Sequence, residues 1–111
     1  MDTLNKYSEI LENILRDYAR IPYSYGELER RLLIDHQSHN YALITQGWQL
    51  EKRVHGCLIH VEIKNNKIWI QRDGTEDGIV DELMAAGIPK EHIVLAFYSP
   101  EIRQHTEFAV N

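Results

Sequence analysis

The segment from Val61 to Ile70 constrains the fold of this chain most strongly, because apolar and polar residues alternate on both sides of an Asn65-Asn66 pair. Asparagine tolerates the positive φ angles that a two-residue type I′ turn requires. A turn at this pair places four apolar side chains on one face, so the segment predicts a β-hairpin with a defined register. The expected pairs are Ile63 with Ile68, Val61 with Ile70, Glu62 with Trp69, and His60 with Gln71.

Two further strands are predicted before this hairpin, over residues 28–43. Leu28, Leu32 and Ile34 share one parity before a turn at residues 37–38 or a longer loop around them, and Tyr41 and Leu43 share one parity after it. This pattern is typical of an antiparallel strand pair joined by a tight turn. The expected pairs are Ile34 with Tyr41 and Leu32 with Leu43.

Amphipathic patterns on both sides of the strands predict helices. Over residues 4–18, apolar side chains recur at spacings of three, four and seven. After the segment Asp73–Gly78 a second helix is predicted, and it ends at Gly87, because glycine adopts the left-handed conformation that closes many helices. The expected apolar stripe of this helix consists of Ile79, Val80, Leu83 and Met84.

A short apolar segment at residues 93–97 predicts one more strand. The complete order is an N-terminal helix, an antiparallel β-meander of about four strands, a second helix and a short C-terminal strand. This order is typical of the α+β class, with helices covering an antiparallel sheet. Because the 111 residues contain no repeat or linker, we predict a single domain over residues 1–111.

Charge is distributed unevenly along the chain, whose formal net charge is −5. Residues 1–50 carry −2, residues 51–72 carry +3 and residues 73–111 carry −6. The negative total argues against a strongly basic nucleic-acid-binding module. The acidic C-terminal third is instead a candidate surface for docking on a basic partner.

The sequence contains no recognisable catalytic pattern. Cys57 is the only cysteine, and it has the parity of Ile59, so we expect a buried and unreactive thiol. Glycine motifs that bind phosphates or dinucleotides are absent from the sequence. We therefore predict no catalytic residues, no cofactor and a non-enzymatic protein.

The segment Asp73-x-Thr75-x-Asp77-Gly78 is similar to the start of a calcium-binding EF-hand loop. The similarity ends there, because Met84 stands where the closing glutamate is required and a strand is predicted before the segment. A strand-to-helix turn, with Thr75 or Asp77 capping the helix, is the favoured interpretation. We predict no metal site, and a metal-dependent enzyme using Asp73, Thr75 and Asp77 is the remote alternative.

Aromatic and basic side chains share the outer face of the predicted hairpin. His60 is expected on the same face as Trp69, whereas His55 and His60 have opposite parity and share a face only across a bulge. Five bases lie in residues 51–72, and a two-stranded ribbon can enter a major groove. Direct DNA binding by residues 51–72 is therefore the alternative to protein docking.

Nothing in the sequence predicts contact with a membrane. No apolar run approaches the length of a membrane span, and residues 1–3 lack the basic-then-apolar order of a signal peptide. We expect a cytoplasmic protein. The edges of the predicted sheet and its outer aromatic side chains are compatible with a homo-oligomer.

Several motifs together resemble one known family. Their combination is similar to the XisI family, the fdxN element excision controlling factor proteins found chiefly in cyanobacteria, and the resemblance covers nearly the whole chain. The motifs are residues 41–48 (YALITQGW), 54–63 (VHGCLIHVEI), 67–71 (KIWIQ), 73–76 (DGTE) and 87–97 (GIPKEHIVLAF).

This resemblance implies a role and a partner. XisI-like proteins assist a separate site-specific recombinase that excises a DNA element during heterocyst development, together with a companion protein, XisH. The implied role is that of an accessory protein that binds an XisH-like protein and, as a further partner, the recombinase. The motif positions that become candidate partner-binding residues are Trp48, His60, Trp69, Asp73, Thr75 and Glu76.

Overall fold

The structure, a computed structural model, describes residues 3–20 and 27–111. Its elements follow the predicted α+β order of an N-terminal helix, a four-strand meander, a second helix and a short strand. The elements are α1 (Thr3–Arg20), β1 (Glu27–Asp35), β2 (Asn40–Gln49), β3 (Lys52–Lys64), β4 (Lys67–Asp73), α2 (Val80–Ala85), a 3-10 turn (Lys90–His92), β5 (Ile93–Leu95) and α3 (Pro100–Arg103).

Within these two ranges the strands form one five-stranded sheet in the order β1-β2-β3-β4-β5. The first four strands are antiparallel, whereas β5 lies parallel to β4 and extends the predicted antiparallel sheet. Parallel neighbours need a crossover connection, and here α2 lies in the chain between β4 and β5. A single parallel bridge from Val94 to Ala109 adds the C-terminal tail to the sheet.

The register of the predicted hairpins is confirmed. Asn65 and Asn66 have φ angles of 54° and 60°, as a type I′ turn requires. In the first hairpin the turn is longer than two residues and comprises residues 36–39, but the pairing is as predicted, because the turn stays centred on residues 37–38. The confirmed pairs are Ile34 with Tyr41, Leu32 with Leu43, Ile63 with Ile68, Val61 with Ile70 and Glu62 with Trp69.

Both larger helices pack on the inner face of the sheet. The apolar stripe of α1 is buried in one core cluster with the inward side chains of β2, β3 and β4. In α2, Leu83 is buried but Met84 is 39% exposed, so the predicted stripe is narrower than expected. Gly87, with φ of 104°, donates to Met84, and Ile88 donates to Leu83, which is a Schellman closure.

Two β-bulges change the predicted faces of β3. Leu58 has no partner on β2, so Cys57 pairs with Ile44 and leaves the inner face to Ile59. Leu58 instead packs against the core. The prediction that Cys57 is buried on the inner face is therefore wrong, and its side chain is half-buried on the outer face.

The same bulges correct the predicted pairing of His60 with Gln71 and meet the condition under which His55 and His60 are expected to share a face. Gln71 is skipped in the pairing of β3 with β4, so His60 lies opposite Arg72 instead of Gln71. The bulge at Leu58 also brings His55 and His60 to one face, because their partners on β2 are Gln46 and Ala42, which have the same parity.

Candidate partner-binding surfaces

The loop from Asp73 to Gly78 is organised by one carboxylate. Asp73 Oδ1 accepts hydrogen bonds from the backbone N–H of Thr75 at 3.1 Å and from its hydroxyl at 2.6 Å. Asp73 Oδ2 accepts from the N–H of Ile79 at 2.8 Å, at the entrance of α2. The prediction that Thr75 or Asp77 caps this helix is wrong, because no side chain caps α2 at its N-cap residue Ile79. Asp73 instead fixes the backbone of Ile79 just before the helix begins.

Glu76 belongs to an exposed group of carboxylates around this loop. We call this group the acidic surface; it comprises Glu76, Asp77, Asp81 and Glu82, all of which are exposed. Lys90 is the first basic residue after Arg72 along the sequence. The acidic surface thus concentrates negative charge on one short loop-and-helix segment.

Tyr18 joins the acidic surface to α1. Its hydroxyl donates to Glu82 Oε1 at 2.9 Å. Burial, and then the hydrogen bond with the Glu82 carboxylate, raise the pKa of Tyr18 to about 12. With Arg30 and Leu58, Tyr18 also lines a cleft of about 370 Å³ beside Thr75. The sequence motifs did not identify Tyr18, because its role depends on α2 packing beside the end of α1.

Trp48 lies at the opposite end of β2 from the Asn40 turn, and 48% of its surface is exposed. It is the cross-strand partner of Arg53, whose guanidinium lies 5.5 Å from the centre of the indole ring. This cation–π pair holds the ring at the sheet end. Trp48 is thus an exposed aromatic side chain with a basic neighbour.

Trp69 anchors the C-terminal segment. Its indole N–H donates to the carbonyl of Lys64 at 3.3 Å, and the Lys64 ammonium lies 4.0 Å from the ring centre. Arg103, on α3, lies 5.7 Å from the same ring. Arg103 also donates to the carbonyls of Ala96, Tyr98 and Val110. Through its contacts with Trp69 and with these carbonyls, Arg103 holds the C-terminal segment, residues 96–110, against the outer face of the sheet.

His60 is half-buried on the outer face, where its Nε2 lies 2.8 Å from the side-chain oxygen of Asn40. With Leu33 and Ala42 it lines a small cleft of about 180 Å³. Cys57, on the same face, has its pKa raised by burial, which makes the thiolate less available at neutral pH. This face carries a histidine in contact with Asn40 and a half-buried thiol.

The structure does not bring all six candidate residues together. Asp73, Thr75 and Glu76 form one group in the loop, and His60 and Trp69 lie on the outer face of the sheet. Trp48 is separate, because eight residues of β3 lie between its partner Arg53 and Glu62, the partner of Trp69, a distance of about 30 Å.

The basic residues of segment 51–72 are separated in the same way. Lys52 and Arg53 lie at the Trp48 end of β3, whereas Lys64 and Lys67 flank the Asn65 turn at its other end. Arg72 donates to the carbonyl of Cys57 between them. The local charge of +3 is therefore spread along the whole strand.

No metal centre is present among the residues that the structure describes: in residues 3–20 and 27–111, no three His, Cys, Asp or Glu side chains are grouped so that they could hold an ion. Both oxygens of Asp73 already accept hydrogen bonds from the protein. No helix in the same ranges is long and apolar enough to cross a membrane.

The profile of the XisI protein family matches residues 1–110. The chain belongs to the XisI family. Two solved structures from Anabaena variabilis ATCC 29413 share its fold. One is an XisI-like protein at 1.30 Å resolution, with 36% identity over 97% of this chain and 99% of that chain and a TM-score of 0.90.

The other solved structure is the fdxN element excision controlling factor XisI, at 2.19 Å resolution. It has 38% identity to this chain, covers 99% of this chain and 100% of its own, and superposes with a TM-score of 0.84. No curated protein is a significant match. The α+β architecture described above is therefore the XisI fold.

Proposed function

We propose that this protein is a non-enzymatic excision-controlling accessory factor that acts by binding an XisH-like protein during site-specific excision of a DNA element. The observation that carries the proposal is its 38% identity, over 99% of the chain, to the fdxN element excision controlling factor XisI. The family match over residues 1–110 supports it. In this proposal the recombinase performs the chemistry, and this protein and its partner control it.

The acidic surface is the docking site in this proposal. Four exposed carboxylates on one segment attract a basic partner, and such charge acts mainly on encounter rate and specificity. Asp73 and Thr75 contribute indirectly, because their hydrogen bonds set the shape of the loop that presents Glu76. Rigid presentation lowers the entropic cost of binding.

Co-purification of this chain with the XisH-like product of an adjacent gene tests the proposal. The informative variant is Glu76→Lys with Asp81→Lys. Its matched control is Glu91→Lys with Glu101→Lys, which changes the net charge equally at exposed acids outside the acidic surface. Asp81 and Glu101 each lie in the first turn of a helix, so the two variants perturb helix dipoles similarly.

We expect the Glu76/Asp81 variant to bind the partner about tenfold more weakly, mainly through a slower association rate. The control variant should bind as the wild type does. Absence of any complex at micromolar concentration, at low and at moderate salt, would contradict the proposed function. Equal weakening by both variants would remove the acidic surface from it.

Direct DNA binding by residues 51–72 is the competing prediction. Because phosphate contacts strengthen as salt falls, a DNA-binding assay at low ionic strength distinguishes the two. Absence of binding there eliminates the DNA prediction and leaves the docking proposal intact.

A further inference from the structure

The two edges of the sheet differ in how they are protected. At one edge, β5 is bridged by Ala109, which donates to the carbonyl of Ile93 at 2.9 Å. At the other edge, β1 runs for nine residues without proline or a register shift. Within residues 3–20 and 27–111, no strand pairs with its outer side. Long, regular edges of this kind readily pair with another strand.

A groove beside β1 exposes apolar side chains on the helix side of the sheet. It has a volume of about 460 Å³ and is lined by Ala19, Leu32 and Ile34, with Arg16 and Arg20 also in its wall. Leu33, on the outer face of the same strand, is 56% exposed. A strand added along β1 would cover apolar side chains on both faces.

The sequence of β1 is complementary to itself in one antiparallel register. With the two-fold axis at Arg30, Leu28 lies opposite Leu32 of a second copy, and Glu29 lies opposite Arg31 of a second copy. Because the axis is two-fold, each of these two pairs occurs twice in the interface. Cross-strand pairs of apolar residues and of opposite charges stabilise a sheet. The two Arg30 residues lie opposite each other at the axis, where each Nη1 donates to the carbonyl of Tyr18 in its own chain at 3.0 Å.

Neighbouring registers are less favourable. A two-fold axis at Arg31 places the two Arg31 side chains opposite each other and Glu29 opposite Leu33. An axis at Leu32 places Glu29 opposite Asp35. In both of these registers Glu29 has no cation opposite it, whereas the register at Arg30 forms two Glu29–Arg31 pairs that offset the Arg30 pair at its axis. An axis at Leu33 pairs Arg31 with Asp35 but overlaps only residues 31–35, whereas the axis at Arg30 overlaps residues 27–33.

We propose that two copies of this chain form a symmetric dimer through antiparallel pairing of β1 with β1, in the register centred on Arg30. Pairing joins two five-stranded sheets into one continuous sheet. The interface is isologous, so each copy contributes the same residues. This assembly is independent of the acidic surface and of the proposed function.

Light scattering on the full chain during size-exclusion chromatography tests the dimer, with twice the 13.0 kDa chain mass as the expected result.

Two charge variants then test the interface. Glu29→Arg leaves only cations at positions 29 and 31, and Arg31→Glu leaves only anions, so each variant alone should dimerise about tenfold more weakly. An equimolar mixture should form heterodimers with wild-type affinity, because each cation then lies opposite an anion.

Disulfide cross-linking tests the register, with all variants made in a Cys57→Ser background. Chains carrying Glu29→Cys and chains carrying Arg31→Cys should cross-link with each other much faster than either does with itself, because directly opposed Cα atoms lie within disulfide range. Faster self-linking of Arg31→Cys would instead place the axis at Arg31 and overturn the proposed register.

A monomeric wild-type chain at micromolar concentration would overturn the dimer. A dimer that neither charge variant weakens would place the interface elsewhere and overturn the proposal equally. Within one chain, Gln46 donates a hydrogen bond to the Glu29 carboxylate, so Glu29→Arg also removes a contact that belongs to the fold. Circular dichroism of each variant therefore separates loss of dimerisation from loss of folding.

Discussion

The carboxylate of Asp73, the last residue of β4, accepts a hydrogen bond from the backbone N–H of Ile79, the residue before α2, at 2.8 Å. Through its other oxygen it also binds Thr75. The Asp73 side chain therefore connects the end of β4 to the start of α2. Gly78, with φ of 78°, provides the left-handed backbone conformation that lets the loop turn around the Asp73 carboxylate.

Replacing Asp73 by alanine should destabilise the protein by about 1–3 kcal/mol, since three donors lose their acceptor in a partly buried loop. Urea unfolding followed by circular dichroism measures the change. Asp77→Ala, at an exposed site in the same loop, is the control and should cost much less. Equal losses in the two variants would mean that the Asp73 network does not stabilise the fold.

Gly47 should tolerate no side chain. Its φ is 142°, and a Cβ there would lie 1.9 Å from the carbonyl oxygen of Glu27 on β1. We expect Gly47→Ala to lower the free energy of unfolding by about 2–4 kcal/mol. Gly56→Ala is the matched control, because a Cβ at Gly56 meets no atom within 4 Å, and its effect should stay within about 1 kcal/mol. If Gly47→Ala left the free energy of unfolding unchanged, the end of β1 would be shown to move away without cost, contrary to this prediction.

Tyr18 should make stability depend on pH in the alkaline range. Its pKa rises from 10.0 to about 12 in the folded protein, chiefly through burial and then through Glu82. The folded state therefore holds the phenol proton more tightly than the unfolded state does. The resulting stabilisation is complete below pH 10 and is lost as the pH rises from 10 to about 12.

Unfolding free energies of the wild type and of Tyr18→Phe, compared across this range, measure that contribution. The difference between the two proteins should shrink as the pH rises. Tyr7, whose pKa burial also raises, is present in both proteins and so does not affect the comparison. A difference that stays constant with pH would contradict the Tyr18 assignment.

Cys57 should react slowly with thiol reagents in the folded protein. Burial raises its pKa, which lowers the thiolate fraction at neutral pH. We expect labelling by an aromatic disulfide reagent to be about tenfold slower in the native state than in urea. Cys57 is the only cysteine, so the labelling signal reports on this thiol alone, and Cys57→Ser provides the blank. Equal rates in both states would indicate an open thiol.

The hairpin register could be predicted because its determinants are local. Asn65 and Asn66 supply the turn, and the alternation on both sides allows one register that keeps four apolar residues on one face. Gly87 likewise closes α2 through its own backbone conformation. In each case residues within a few positions carry the information.

The candidate site could be predicted only in part. The charge distribution predicted an acidic C-terminal third, and the resemblance to the XisI family selected Asp73, Thr75 and Glu76 within it; in the structure Glu76 is exposed. The roles of Tyr18 and Arg103 could not be predicted, because Glu82 lies 64 residues from Tyr18 along the chain, and the ring beneath Arg103 belongs to β4.

The α+β order, the two hairpin registers and the uneven charge can be read from the amino-acid sequence, because periodicity, turn residues and side-chain charge are local properties. Packing in three dimensions fixes the bulges at Leu58 and Gln71, the parallel placement of β5 and the separation of the basic residues along β3. These features depend on how helices and strands distant in the chain fill the space on each face of the sheet. For that reason the half-buried position of Cys57 and the shared face of His55 and His60 follow from packing rather than from alternation.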